Sequence, residues 1–385
     1  MPDRRLVAFD ENIISTSPAG SCLLKVLADV SAELPVHLFC NRHELKGGRR
    51  LRVTQIPLPA GPVLLRALLF TILASLSYFL TRREEYEFRI GTQGVFPFCH
   101  LSYAHFCHRL FLRDHRASIG GSILPKTARI LNHLWGALTE RIAFSQARTI
   151  VVPSEGLARE LNMVYPRQVE GKIRIIPNPV DLQFYKRPDS FEPAALRGQW
   201  GCNPHALVLC FCALGNFERK GLRLILEALT AISASDVRLV VAGGSVREIR
   251  EYNRLAAGCG VRDRVFFAGM QHDIRPYLWS SDLFIFPSAY EVFPLVCLQA
   301  AASGLPLIAT KMHGVEEFMA EDVTGWTVPR NAGDVTSAIL RAFNDRSRLA
   351  VMGEAARRRV EMYGEDEFHR RWRLLLAQVL KTADD

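Results

Sequence analysis

Two short loops carry the residue types that could do chemistry. Arg219 and Lys220 sit side by side in "GNFERKG" (215–221), and Glu291 sits in "SAYEVF" (288–293). Each loop follows a short apolar run, "ALVLCFC" (206–212) or "DLFIFP" (282–287), and each leads into an apolar stretch of helical spacing. Paired cations at a helix N-terminus oppose its dipole, so they need another reason to be there. An anion held between them and the terminal N–H groups would supply one. The plain alternative is two exposed surface cations. Glu291 has two readings as well. It complements the dipole of the helix that starts at Pro294, worth about 0.3–1 kcal/mol. Or the backbone of Val292, Phe293, Pro294 and Leu295 binds phosphate while Glu291 holds hydroxyls beside it. Proline suits the first helical position, where its missing N–H costs nothing, and Gly304 suits the position just after the helix. After Glu291 come seven residues and then Gln299, an amide where a second acid would form a pair.

These loops need a scaffold, and the second half supplies the pattern of one. "VRLVVAGG" (237–244), "RVFFAG" (264–269) and "LPLIAT" (305–310) read as further strands. Helical stretches separate them: 222–232, 247–260, the region of "IRPYLWS", and 294–303. Alternation of this kind predicts a parallel sheet covered on both faces. In such sheets ligands sit past the C-terminal strand ends, where both candidate loops lie. The first half alternates less regularly. Strands are expected at 5–10, 35–40, 51–58, 87–92, 101–106 and 149–154, and helices at 22–34 and 126–147. "KIRIIPNPVDLQFY" (172–185) joins the halves, and its Pro-Asn-Pro stops any helix. The expected domains are residues 1–178 and 179–364, with an amphipathic helix at 365–380 packing back on the first. A chain of 385 residues suits two domains.

Composition narrows the class. With 49% hydrophobic and 23% charged residues the chain is globular. "MPDRRLVAFDENIIS" has no long apolar core of the signal-peptide kind. Nine scattered cysteines, several in apolar runs, suit buried thiols in a reducing cytosol. The net charge of +9 lies wholly in the first half: residues 1–190 hold 25 Lys+Arg against 16 Asp+Glu, and residues 191–385 hold 23 of each. A basic surface of this kind attracts anionic lipid or an acidic substrate, unless it is merely solvated. The run from Ala67 to Leu80 is 14 residues long, short of the roughly 20 that span a bilayer, with Arg66 before it and Arg82–Arg83 after. It is expected as a buried or interfacial helix, core packing being preferred over membrane contact.

"CHLSYAHFCHRLFLRDH" (99–115) holds four histidines and two cysteines. Zinc is the tempting reading, but no Cys-x-x-Cys pair is present and side chains of the expected strand alternate between faces.

Taken together, "FCALGNFERKGLRLILEAL", "FAGMQHDIRPYLWSSDLFIFPSAYEVFPLVCLQAAASGLPLIATKMHGVEEFM" and "RIIPNPVDLQFY" resemble the family 4 glycosyltransferases of GT-B fold. The resemblance is close from Arg174 to about Val328. The family pattern has a glutamate, seven residues and a second glutamate, so Gln299 departs from it. The resemblance implies an α/β, GT-B architecture, with two Rossmann-like domains whose parallel sheets face across a cleft. It implies retaining transfer of a sugar from a nucleotide diphosphate sugar. By position, Arg219 and Lys220 would neutralise the departing diphosphate, Glu291 would bind the donor sugar's hydroxyls, and the backbone of Phe293–Leu295 would approach the distal phosphate. Gln299 would stand where an acid holds the ribose. Gly20, in "STSPAGSCLLKVL" (15–27), would let the backbone approach the diphosphate, as would Gly215 in its own loop. His105 matches the family histidine that faces the donor sugar, with a plain core histidine as the alternative. Gln271 and His272, in "GMQHDI", would border the base, read by backbone more than by side chains.

The expected enzyme is therefore a metal-independent hexosyltransferase without cofactors. The nucleotide sugar is a co-substrate, and the acceptor is a saccharide or lipid-linked glycan of surface polysaccharide or lipopolysaccharide synthesis. It is expected in the cytoplasm, peripheral to an anionic membrane surface through its basic half, with no nucleic-acid partner. Two rivals stand beside it: a nucleotide-sugar-binding protein impaired in catalysis, favoured by Gln299, and a GT-B nucleotide-sugar epimerase, disfavoured by the Arg-Lys pair.

Overall fold

The computed structural model describes residues 5–46, 50–81, 87–116, 123–233 and 236–381. Arg82 and Arg83 lie outside the described residues. The chain divides into two compact units, residues 1–179 with 366–385, and residues 180–365.

The first unit is built on seven parallel strands: β1 (Arg5–Phe9), β2 (Val36–Cys40), β3 (Leu51–Gln55), β4 (Glu87–Thr92), β5 (Leu101–Tyr103), β6 (Thr149–Val152) and β7 (Ile173–Ile175). Their order is β3-β2-β1-β4-β5-β6-β7. The central strands β1, β2 and β6 are buried almost throughout, which is why they read as unbroken apolar runs. β5 ends at Tyr103, shorter than the expected 101–106. Helix α1 (Pro18–Val30) begins before the expected 22–34, because Ser17 caps it and Pro18 is pre-set for its first turn. Helix α2 (Val63–Thr81) is longer than the apolar run that announced it. Core packing accounts for one face only: Phe70, Ala74 and Tyr78 are buried with Val7, Phe9 and Phe39 of the sheet, while the opposite face is exposed. Helix α3 (Ile123–Gln146) packs beside α2.

The second unit has six parallel strands: β8 (Leu207–Ala213), β9 (Val237–Gly243), β10 (Val265–Gly269), β11 (Leu283–Phe286), β12 (Leu307–Ala309) and β13 (Gly325–Thr327), in the order β10-β9-β8-β11-β12-β13. Both sheets thus share the doubly wound arrangement, running outward on one side of a first strand and then returning to its other side. Helices α4 (Leu222–Ala231), α5 (Val246–Gly258) and α6 (Leu295–Ala302) follow β8, β9 and β11. Pro294 is the residue before α6 rather than its first, with an extended ψ of 108°, and Gly304 follows with the expected positive φ of 79°. The terminal helix α7 (Glu365–Lys381) lies, all but its first residue, in the first unit. There Trp372 packs edge-on to Tyr103 at 5.0 Å, and Arg373 donates to Asp29 at 2.7 Å.

Candidate functional site

The second sheet reverses between β8 and β11. The chain lays β9 and β10 outward from β8 and then returns to place β11 on its other side. The register pairs Leu209 with Leu283 and Cys210 with Phe284. Open α/β sheets bind ligands at such a reversal, beyond the C-terminal strand ends. The loop after β8 carries Arg219 and Lys220, and the loop after β11 carries Glu291, so the strand order alone brings the three candidates together.

The loop after β8 is held in an unusual path. Asn216 takes a left-handed conformation (φ 58°), and its N–H donates to Glu248 at 2.7 Å. Glu248 is fixed in turn by a capping box with Ser245 at the start of α5. Gly215 lies against that carboxylate, where an added Cβ would come within 3.1 Å of it. One short helical turn, Phe217–Lys220, then presents the two cations. Gly221 has φ 86° and lies against the β11 loop: a Cβ there would stand 2.3 Å from the carbonyl oxygen of Pro287. Only glycine tolerates both that dihedral and that approach.

The two loops are bonded to each other. Ala289 N–H donates to the Arg219 carbonyl at 2.8 Å. The Arg219 guanidinium donates to the Tyr290 carbonyl at 2.5 Å and lies 3.4 Å from the Glu291 carboxylate. Ser288 Oγ donates to Glu291 at 3.2 Å, and Thr310 Oγ1 donates to the Ser288 carbonyl at 2.6 Å. Lys220 is half-buried, with its Nζ 5.7 Å from the Phe286 ring centroid. Burial lowers its pKa, and the Glu291 carboxylate pulls the other way. A desolvated ammonium and a guanidinium therefore stand on one side of the reversal and a carboxylate on the other, in surroundings where charge interactions exceed those in water.

The remaining candidates are placed as follows. Val292, Phe293 and Pro294 are buried ahead of α6, and Leu295 opens it. The N-terminus of α6 has no side-chain cap, and because α6 follows β11 it starts at the sheet end where the cations lie. Gly314 (φ 77°) leaves room for Phe293, since a Cβ there would meet its ring at 2.3 Å. Gln299 lies half-buried along α6. Gln271 and exposed His272 follow β10 at that same sheet end, with Gln271 donating to the Ala268 carbonyl at 2.6 Å.

Gly20 and His105 belong to the first unit. Gly20 is not in a loop: it lies in the first turn of α1, where a Cβ would strike the Asn12 carbonyl oxygen at 1.8 Å. That approach is reason enough for glycine. His105 is buried beside Tyr103, and its Nε2 has no hydrogen-bond partner among the described residues. Burial lowers its pKa to about 3, so it is neutral at pH 7. Among the described residues, no three His, Cys, Asp or Glu side chains gather as a metal site.

Sequence reasoning missed the positioning residues Glu248, Ser288, Thr310 and Arg330, the last of which donates to the Glu218 carbonyl at 3.0 Å. Only Glu248 had a legible signal, the Ser-x-x-Glu spacing from Ser245. A cavity of about 780 Å³ opens at the other end of this sheet, lined by Leu207, which begins β8, and Asp282, which precedes β11. Three of its cations are already engaged: Arg197 by Asp282, Arg346 by the His205 carbonyl, and Arg357 by those of Ala302 and Leu182.

Residues 206–345 match the family described as Glycosyl transferases group 1. A D-inositol 3-phosphate glycosyltransferase of Xylanimonas cellulosilytica is 32% identical over 230 residues, which cover 57% of this chain and 54% of that protein. The chain thus matches about half the length of that relative. WaaG, a glycosyltransferase involved in lipopolysaccharide biosynthesis, superposes with a TM-score of 0.78 at 16% identity, covering 96% of this chain and 99% of WaaG. Anabaena HepE, solved with UDP-glucose, superposes with a TM-score of 0.74 at 17% identity, covering 97% and 99%. The fold is GT-B, with parallel sheets in two Rossmann-like units.

Proposed function

We propose that the protein is a retaining glycosyltransferase that moves a hexose-type sugar from a nucleotide diphosphate sugar to a saccharide or lipid-linked glycan acceptor. The observation that carries this reading is the meeting of Arg219, Lys220 and Glu291 at the strand-order reversal of the second sheet. Breaking the bond between sugar and diphosphate builds negative charge on the departing phosphate. Two fixed cations and the uncapped end of α6 stabilise that charge more in the transition state than in the ground state. Arg219 and Lys220 would supply the charge that a divalent ion supplies elsewhere, which supports a metal-independent reaction. Glu291, oriented by Ser288 and Arg219, accepts hydrogen bonds from sugar hydroxyls. As the bond breaks, the acceptor hydroxyl attacks the anomeric carbon from the face the diphosphate leaves, and its proton passes to the leaving phosphate oxygen. The part that WaaG takes in lipopolysaccharide biosynthesis supports a surface-polymer or lipid-linked acceptor, and a cytoplasmic location belongs to the same proposal.

The test is turnover of a panel of nucleotide sugars with saccharide and lipid-linked acceptors, read as nucleoside diphosphate released and product anomer by NMR. Release with retention of configuration supports the reading, and inversion overturns it. A second reading rests on Gln299, which replaces the acid expected to hold the ribose: a protein that binds the donor without transferring it. Binding without turnover across the panel would favour that reading. An amide still donates and accepts hydrogen bonds to hydroxyls, and the ribose is remote from the reacting bond, so transfer is the better-supported conclusion.

A further inference from the structure

The cavity of about 780 Å³ lies wholly within the second unit, at the end of its sheet where the strands begin. Leu207, the first residue of β8, and Leu305, just ahead of β12, are on its wall. The loops that carry Arg219, Lys220 and Glu291 lie at the other end of that sheet. β8 has seven residues, so its two ends stand about 20 Å apart. The cavity is therefore a separate place, and its volume is that of a small-molecule pocket.

Two half-buried arginines of this cavity are fixed in place without being neutralised. Arg346 donates to the carbonyl oxygens of Phe343 and His205, and Arg357 to those of Ala302 and Leu182. A neutral carbonyl orients a guanidinium but leaves its charge uncancelled. Each guanidinium has five N–H groups, and these bonds use only some of them. Glu354 lies three residues before Arg357 on the helix Leu349–Val360, yet Arg357 turns to the two carbonyls instead. Among the described residues no carboxylate forms an ion pair with Arg346 or Arg357, nor with Lys186 and Arg187, which are exposed in the same lining. Arg197 differs, because Asp282 pairs with it.

Four cations without carboxylate partners thus stand against two exposed carboxylates, Asp189 and Glu354. The four come from three segments: Lys186 and Arg187 follow the turn Leu182–Tyr185, Arg346 opens the turn Arg346–Arg348, and Arg357 belongs to the helix after it. Gathering like charges from separate segments costs stability through their repulsion, and an anion among them would offset that cost. We propose that this cavity binds a small molecule carrying two or more phosphate charges. Arg346 and Arg357, already oriented, donate their remaining N–H groups to phosphate oxygens, and Lys186 and Arg187 add charge from the exposed side. Sugar bisphosphates and inorganic pyrophosphate share this chemistry. No residue placed at the donor site enters the proposal, so it stands or falls independently of that reading.

The test is isothermal titration calorimetry of the full chain with inorganic pyrophosphate and with a hexose bisphosphate, at about 0.15 M salt, where loose attraction between exposed charges is screened. The Lys220→Ala, Glu291→Ala variant serves as the background, so that the donor site does not contribute. The expected result is binding of at least one probe. Adding Lys186→Ala and Arg187→Ala should weaken it by at least about tenfold, or about 1.4 kcal/mol, with the melting temperature unchanged, since both side chains are exposed. The probe that binds more tightly tells an organic phosphate from an inorganic one, and either supports the site. Absence of binding by both probes at this salt overturns the proposal. Equal binding after Lys186 and Arg187 are replaced overturns it too, because the anion then sits elsewhere.

Discussion

The Arg219 guanidinium stands 3.4 Å from the Glu291 carboxylate, and the two residues come from loops on either side of the strand-order reversal of the second sheet. Neither side chain reaches the other by local sequence. The parallel pairing of β8 with β11 brings them together. With half-buried Lys220 beside it, this pair is the charge arrangement on which the proposed donor site rests.

Lys220→Ala should lower transfer by about 100- to 1000-fold, the size of effect seen when one preorganised charge-stabilising donor is removed. The loss should fall on kcat, because the interaction strengthens as the leaving group gains charge. Stability should change little, since the variant removes a desolvated cation whose pKa is already lowered by burial. Steady-state kinetics and thermal denaturation check the two halves separately.

Glu291→Gln keeps the side-chain shape and the contact with Ser288 but removes the charge that faces Arg219. We expect kcat/KM to fall by about 10- to 100-fold, since hydrogen bonds to an ionised acceptor are roughly twice as strong as neutral ones. Full activity in this variant would move the site elsewhere. A donor analogue lacking the sugar hydroxyls should erase the difference between wild type and variant.

Gln299→Glu should change the KM for the donor more than kcat, because the position lies along α6, away from the bond that breaks. Kinetics with a single donor and a fixed acceptor separate the two parameters.

Gly221→Ala should be costly. Its φ of 86° and the 2.3 Å approach to the Pro287 carbonyl together predict a loss of about 1–3 kcal/mol or more. Activity should fall with the melting temperature, since the same glycine sets the distance between the two loops.

The first unit should lose stability as pH rises above neutrality. Burial raises the pKa of Glu140 to about 8, against 4.5 in an exposed carboxyl. Between those values the folded state holds a proton that the unfolded state releases, so stability falls as pH rises. Burial lowers His105 and His108 to about 3 from 6.5, so they act oppositely, but only below pH 6.5. From pH 6.5 to 8 the Glu140 contribution therefore stands alone among these groups. Glu140→Gln should flatten the dependence of melting temperature on pH in that window, measured beside the wild type.

Legibility followed the physics of each signal. The strands of the second sheet could be read because both faces are buried, which leaves unbroken apolar runs such as "LVLCFCA". β13, "GWT", is too short and mixed to show itself. Arg219, Lys220 and Glu291 were legible as loop residues after strands, but their mutual distance was not, because it depends on which strand lies next to β8. Gly20 resembled a loop glycine, yet it sits inside a helix whose start is set by Ser17 and Pro18. For α2, the apolar run announced the helix without saying which face would be covered. The exposed side became visible only once Phe70, Ala74 and Tyr78 were seen to fill the core.

The most direct test of the donor site is a thermal-shift comparison of the wild type with the Lys220→Ala, Glu291→Ala double variant across nucleoside diphosphates and their sugars. A ligand that binds only the folded state raises the melting temperature in proportion to the logarithm of its occupancy term. The expected result is a shift for at least one nucleotide sugar in the wild type, and its loss in a double variant whose unliganded melting temperature is unchanged. No shift with any nucleotide, or an equal shift in the variant, would contradict the assignment of Arg219, Lys220 and Glu291 as the donor site.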